Sequence, residues 1–225
     1  MQELDAILFD LGNTLVRYYQ RSEFPDVLRK CLSNVAVVSG QPDDIGDELF
    51  QRALEMNHER DDFRVIPLWT RIQELFTVHA CPEEKTDELC RAFLKPIFET
   101  AKPDETAAEV LEELRHRGVR TGIVSNTPWG SPGDAWRTEL TRHGLLDRID
   151  AAVFCVDVGW RKPHPAPFRR ALELISVSPE RTAFVGDDPR WDVAGAEAAG
   201  LQSILLSSDC ASGARRVIRE LRELL

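Results

Sequence analysis

At 225 residues the chain can bury a complete core, either as one large domain or as one domain carrying an insert. Its 43% hydrophobic and 29% charged residues suit a soluble globular protein, and no tract is of low complexity. A formal net charge of -10 argues against nucleic acid or an anionic membrane as a partner, so any site for phosphate esters must supply its own positive charge.

The opening MQELDAILFD is too short in its apolar run, and too broken by acids, to be a signal peptide. A first strand is expected over Ala6 to Phe9, breaking at Asp10, Gly12 and Asn13. From about Arg17 to Thr100 the apolar residues recur at helical spacing. They predict four helices, over Pro25–Val37, Asp43–Arg60, Pro67–His79 and Glu83–Phe98. Short apolar runs then follow at Val119–Val124, Ala151–Phe154, Thr182–Val185 and Ser203–Leu206, the pattern of buried parallel strands. Helical patterns alternate with them over Glu105–Arg117, Ala135–His143, Pro165–Ile175, Trp191–Ala199 and Ala214–Leu224. Gly118, Gly144 and Gly200 act as stop signals. This alternation predicts an α/β fold with a doubly wound parallel sheet, built from residues 1–16 and 100–225, with 17–99 inserted as a helical cap.

No apolar run approaches the roughly 20 residues that span a bilayer. The five cysteines (Cys31, Cys81, Cys90, Cys155 and Cys210) are odd in number, scattered, and form no CxxC pair. They predict reduced thiols in a cytoplasmic protein, with neither a zinc site nor a disulfide frame.

Four short motifs lie where strands end. Asp10, in Phe9-Asp10-Leu11-Gly12-Asn13-Thr14, follows an apolar strand at the sheet edge where ligands bind, and suits a nucleophile or a metal ligand. Ser125 and Asn126 offer a hydroxyl and an amide for phosphate oxygens. Lys162, in Trp160-Arg161-Lys162-Pro163-His164-Pro165, brings a cation that can neutralise charge in a transition state. Asp187, Asp188 and Asp192 crowd three carboxylates into the fourth motif, a density that needs a cation or lysine in compensation. Magnesium keeps several waters, so Asp10 and Asp187 suffice as its side-chain ligands.

In this order, each after a strand, the motifs resemble the four signatures of the haloacid dehalogenase superfamily, and the helical insert sits where its type-one cap sits. The resemblance implies a magnesium-dependent phosphatase that acts on a small phosphorylated metabolite through an aspartyl-phosphate intermediate. It implies Asp10 as nucleophile and metal ligand, Gly12 as a backbone ligand, and Asp187 as the completing metal ligand. Thr14, Ser125 and the Asn126 backbone would position phosphate, and Lys162 would pair with nucleophile and phosphate. Asp192 would hold Lys162 or a metal-bound water, with Asp188 as an alternative ligand. The sequence is silent on oligomeric state and on the natural substrate.

One departure stands out. The superfamily's phosphatases usually read Asp-x-Asp-Gly-Thr, and Gly12 replaces the second Asp, which protonates the leaving group and activates water. That help is typically worth roughly a hundred- to ten-thousand-fold. The substitution predicts a good leaving group (an anomeric oxygen, a phenol or an acyl phosphate) or a substitute proton donor such as His58 or His164. A weakly active phospho-ligand-binding protein is a further alternative. A metal-independent dehalogenase is another, although those enzymes usually carry an aromatic residue at the Gly12 position and lack the Gly-Asp of the fourth motif. Substrate choice is assigned to the cap arginines Arg60, Arg64 and Arg71, to Arg17, Tyr18 and Arg21 at its hinge, and to Trp129 in the loop after Asn126.

Overall fold

The computed structural model describes residues 4–56, 61–77, 83–208 and 214–225. Strand β1 (Ala6–Phe9) is wholly buried, with Ile7 and Phe9 facing one core cluster and Ala6 and Leu8 the other, the two-residue alternation of a sheet covered on both faces. The chain leaves the sheet through the short β2 (Val16–Arg17), runs through α1 (Phe24–Val38), α2 (Gly46–Met56), α3 (Leu68–Phe76) and α4 (Glu83–Glu99), and returns through β3 (Lys102–Pro103). β2 and β3 pair antiparallel, so the two crossings between helical insert and sheet form one ribbon.

α1 and α4 form the spine of the insert. Val27, Leu28, Cys31, Leu32 and Val35 on one helix, and Leu89, Cys90, Phe93, Leu94 and Ile97 on the other, repeat at three- and four-residue spacing and are buried. Pro96 lies inside α4 and has no N–H for the carbonyl of Ala92. The Asn34 side chain donates to that carbonyl at 3.2 Å and restores the lost bond. Because this repair comes from α1, it also ties the two helices together.

Beyond the insert come α5 (Ala107–His116), β4 (Arg120–Ser125), α6 (Gly133–Arg142), β5 (Ala151–Phe154), α7 (Cys155–Val158), α8 (Ala166–Ile175), β6 (Thr182–Gly186), α9 (Ala194–Ala198), β7 (Gln202–Leu206) and β8 (Arg216–Ile218). The six-stranded sheet has the order β5-β4-β1-β6-β7-β8, and every pairing in it is parallel. Reversals of strand order lie around β1, where a doubly wound sheet opens a crevice for ligands.

Two expected helices differ from the structure. Ala214–Leu224 was expected helical because Val217, Ile218, Leu221 and Leu224 fall on one helical face. Instead Arg216–Ile218 extends the sheet as β8, pairing Val217 with Leu205, and Leu221–Leu224 makes a short 3-10 turn. The open edge of β7 offers β-branched Val217 and Ile218 backbone partners that a terminal helix could not match. Trp191–Ala199 begins earlier, at Pro189, with a π-helical turn closed by Ala194 N–H on the Pro189 carbonyl. Cys31, Cys90 and Cys155 are free and buried, whereas Cys81 and Cys210 lie outside the described residues. Among the described residues no helix is long and apolar enough to cross a membrane.

Candidate active site

Three central strands deliver the candidate residues to one edge of the sheet. Register sets Phe9 beside Ile123 and Val185, so Asp10 emerges between Ser125 at the end of β4 and Asp187 just after β6. The Asp10 N–H donates to the Val185 carbonyl at 2.8 Å, which continues the ladder one residue past β1 and fixes where the side chain starts. The turn that follows folds back on itself, with Val16 N–H on the Leu11 carbonyl at 3.0 Å and Asn13 in the left-handed region at φ 57°. Asn tolerates that conformation better than most residues.

Lys162 is the centre of the charge arrangement. It is only 2% exposed, and its Nζ donates to Asp10 Oδ1 at 2.6 Å and to Asp192 Oδ1 at 2.7 Å. Burial alone would depress an ammonium pKa, but the two adjacent carboxylates outweigh it and raise the pKa above its ordinary value. Burial pushes Asp192 up to about 6 against the pull of Lys162. Asn126 contributes in a way that a plain turn residue would not. Its side chain accepts from the Lys162 N–H at 2.8 Å and donates to the Lys162 carbonyl at 3.2 Å, clamping the lysine backbone to the end of β4.

Asp192 reaches Lys162 because of the π-helical turn and Gly186. A methyl on Gly186 would overlap the Asp192 carboxylate and lie 2.5 Å from its Cβ. Asp192 Oδ2 also accepts from the Asp188 N–H at 3.0 Å. Asp188 itself turns away: its side chain accepts from Arg190 N–H at 2.8 Å and pairs with the Arg190 guanidinium at 3.1 Å. Burial would raise its pKa, but the Arg190 contacts prevail and lower it. Asp188 caps a turn here, which does not match the alternative-ligand role expected of it.

Asp10, Asp187 and Asp192 can each present an oxygen within 4.8 Å of the others. Burial, then the charges of Asp10 and Asp192, lift Asp187 to about 7, despite a hydrogen bond from Asn13. An all-oxygen cluster whose members repel one another fits a hard divalent cation. Gly12 leaves this flank open, with nothing within 4 Å of where a Cβ would stand.

A cavity of about 160 Å³ lies beside Gly12, Asn13, Ser125 and Asn126. Thr14 Oγ1 is buried with no hydrogen-bond partner. The Tyr18 hydroxyl, also buried and without a partner, belongs to a residue lining this cavity, as does Trp136. Burial raises the Tyr18 pKa further, so the phenol stays protonated and is a donor. The sequence puts Tyr18 only at the hinge; nothing in its local pattern reveals that the ring turns inward against Trp136, 5.5 Å between centroids.

Other expected residues are placed as follows. His164 stacks on Trp160 at 4.0 Å, and its Nδ1 accepts from the Ala166 N–H. It lines neither of the two cavities beside Asn13 and Asn126. His58 and Arg60 lie outside the described residues. Arg17 is exposed on β2 and lines neither cavity. Trp129, at φ 56°, is buried 5.1 Å from the Phe93 ring and also lines a larger cavity with Arg21, Arg64 and Arg71, so it combines packing with a wall.

Comparison with known proteins points to one hydrolase family. Residues 4–200 match the family model described as haloacid dehalogenase-like hydrolase. The glyceraldehyde 3-phosphate phosphatase of Methanothermobacter thermautotrophicus is 28% identical over 94% of this chain and 89% of its own length. Pyrophosphatase PpaX of Bacillus mycoides is 28% identical over 91% of this chain and 84% of its own. A haloacid dehalogenase-type phosphatase from Thermococcus onnurineus superposes with a TM-score of 0.68 at 27% identity, covering 98% of this chain and 96% of that one.

Proposed function

The chain belongs to the haloacid dehalogenase-like hydrolase family, and we propose that it is a magnesium-dependent phosphatase of small phosphorylated metabolites that carries the phosphoryl group transiently on Asp10. The observation that carries this reading is the buried ammonium of Lys162, held at 2.6 Å from Asp10 and 2.7 Å from Asp192 beside the raised carboxyl of Asp187. Two relatives that span most of the chain are phosphatases for different substrates, which supports the reaction class and leaves the substrate to this chain's own cavity.

Asp10, Asp187 and the Gly12 carbonyl would hold magnesium. When bound, the ion offsets charge on the phosphoryl oxygens. Lys162 pairs with Asp10 and orients it, so that its carboxylate oxygen attacks phosphorus and the bond to the leaving oxygen breaks. Thr14, Ser125 and the Asn126 backbone face the phosphoryl oxygens, and the Lys162 ammonium balances their charge. Water then attacks phosphorus, the bond to Asp10 breaks, and inorganic phosphate leaves with the carboxylate regenerated. Gly12 has no side chain to protonate the leaving oxygen, so substrates with weakly basic leaving groups are favoured, and Tyr18 adds a neutral donor at the phosphate cavity. Buried free thiols suit the reducing cytoplasm.

The test is hydrolysis of p-nitrophenyl phosphate with magnesium. Wild type should turn over, a chelator should silence it reversibly, and acid quenching should trap phosphate on the protein. Asp10→Asn should abolish both turnover and trapping. Full activity in that variant would exclude the mechanism, and halide release from a haloacid in chelator would point to a dehalogenase.

A further inference from the structure

A second cavity, of about 430 Å³, adjoins the phosphate cavity, with Asn13 and Asn126 lining both. Its volume is that of a small-molecule site. Arg21, Arg64, Arg71 and Arg161 line it, and among the described residues no carboxylate does. In a chain whose formal net charge is -10, four guanidinium groups gather positive charge on one concavity.

These arginines are positioned by structure. The Arg161 N–H donates to the Phe63 carbonyl at 2.8 Å, and the Val65 N–H donates to the Gly159 carbonyl at 3.1 Å. Arg64 and Trp160 form an antiparallel bridge between these bonds, so the insert is stitched to the segment that leads into Lys162. The Arg64 guanidinium then lies 4.2 Å over the Trp160 ring. Arg71 is buried deeper, 5.5 Å from the Trp129 ring, and donates to the Met56 carbonyl. Gly130 lets the Trp129 loop close against this segment, since a Cβ there would strike the Ile66 carbonyl and come within 2.9 Å of Val65 Cγ1. Among the described residues Arg21 and Arg64 form no ion pair.

We propose that this cavity is a second anion subsite, and that the substrate is a short phosphate ester bearing a carboxylate or a second phosphate on its leaving group. Guanidinium forks match either anion. The scissile phosphate does not fill this role, because on the reading above it sits against Asp10 and Lys162, neither of which lines this larger cavity. The identity of the group at Asp10 rests on that reading; the binding test below does not.

Calorimetry with three phosphonates that cannot be hydrolysed tests the subsite: ethylphosphonate with no second anion, phosphonoacetate with a carboxylate, and methylenediphosphonate with a second phosphate. Wild type should bind one of the two-anion ligands at least about tenfold more tightly than ethylphosphonate, as expected for one charge-assisted contact pair. Preference for phosphonoacetate identifies a carboxylate substrate, and preference for methylenediphosphonate a second phosphate. In the Arg21→Gln/Arg64→Gln double variant the preference should collapse to within about threefold, and Arg64→Lys should retain part of it. Equal binding of all three ligands by wild type overturns the proposal, as does a preference that survives the double variant with its unfolding temperature unchanged. Failure to hydrolyse p-nitrophenyl phosphate alongside an intact binding preference would overturn the phosphatase reading alone.

Discussion

Gly186→Ala isolates one geometric requirement of the site. Gly186 does not occupy the left-handed region, so its backbone accepts alanine, and the effect falls on Asp192. The added methyl would stand 2.5 Å from Asp192 Cβ, whereas carbon atoms pack at about 3.5–4.0 Å. Asp192 must therefore move by about 1 Å, and it is held on both sides, by Lys162 Nζ at 2.7 Å and the Asp188 N–H at 3.0 Å. A shift of that size takes the lysine contact out of hydrogen-bond range. Overpacking of this kind costs about 1–3 kcal/mol. Full rupture of a buried pair, about 3–5 kcal/mol, sets the ceiling. At about 2–4 °C per kcal/mol for a chain of this size, the melting temperature should fall by roughly 2–12 °C. Displacing the lysine by a comparable distance should slow p-nitrophenyl phosphate hydrolysis about a hundredfold. Gly12→Ala is the steric control: nothing lies within 4 Å of its added methyl, so stability should stay within about 0.5 kcal/mol. A Gly186→Ala protein with wild-type melting and turnover would refute the argument.

Three other outcomes follow from the same charges. Lys162→Met leaves Asp10 and Asp192 buried without their cation, and urea unfolding at neutral pH should show a loss of about 3–5 kcal/mol that shrinks as acid protonates Asp192; a deficit independent of pH would contradict it. Asp187 titrates near 7 in the folded protein against an ordinary 3.8, so its stabilising contribution in metal-free protein is complete below about pH 4 and is lost as pH rises through 7. Magnesium should therefore raise the melting temperature more at pH 8 than at pH 5.5, and a chelator should reverse it; an equal shift at both would remove Asp187 from the metal site. Turnover by wild type should fall steeply from aryl to alkyl phosphates, and Gly12→Asp, whose Cβ would meet nothing within 4 Å, should flatten that slope; a flat wild-type profile would show that another group already protonates the leaving oxygen.

Much of the core was legible because its strands carry their own punctuation. Ala6–Phe9 is an uninterrupted apolar run that ends at Asp10, Ala151–Phe154 is one that begins after Asp150, and both strands occur with the expected bounds. The insert's helices were legible from apolar spacing along α1 and α4, although not the Asn34 bond that repairs the Pro96 gap, since the two residues lie far apart in sequence. β8 was misread because four apolar residues at helical spacing look the same whether or not a sheet edge waits beside them. Asp188 was grouped with its neighbours by sequence proximity, but only the turn shows that Arg190 claims it.

The sequence by itself determined which groups can do chemistry: Asp10 after one strand, Ser125 ending another, Asp187 after a third, with Lys162 as a cation in the remaining motif. These were readable because a strand's end and a residue's charge are local properties. Tertiary structure alone decided how they are used. It buried Lys162 between Asp10 and Asp192, turned the Asn126 side chain onto the lysine backbone, left the Tyr18 hydroxyl facing inward, and gathered four arginines from separate segments around one cavity. Each depends on distances between residues remote in the chain, which are set by how the insert and sheet pack together, and no local pattern encodes them.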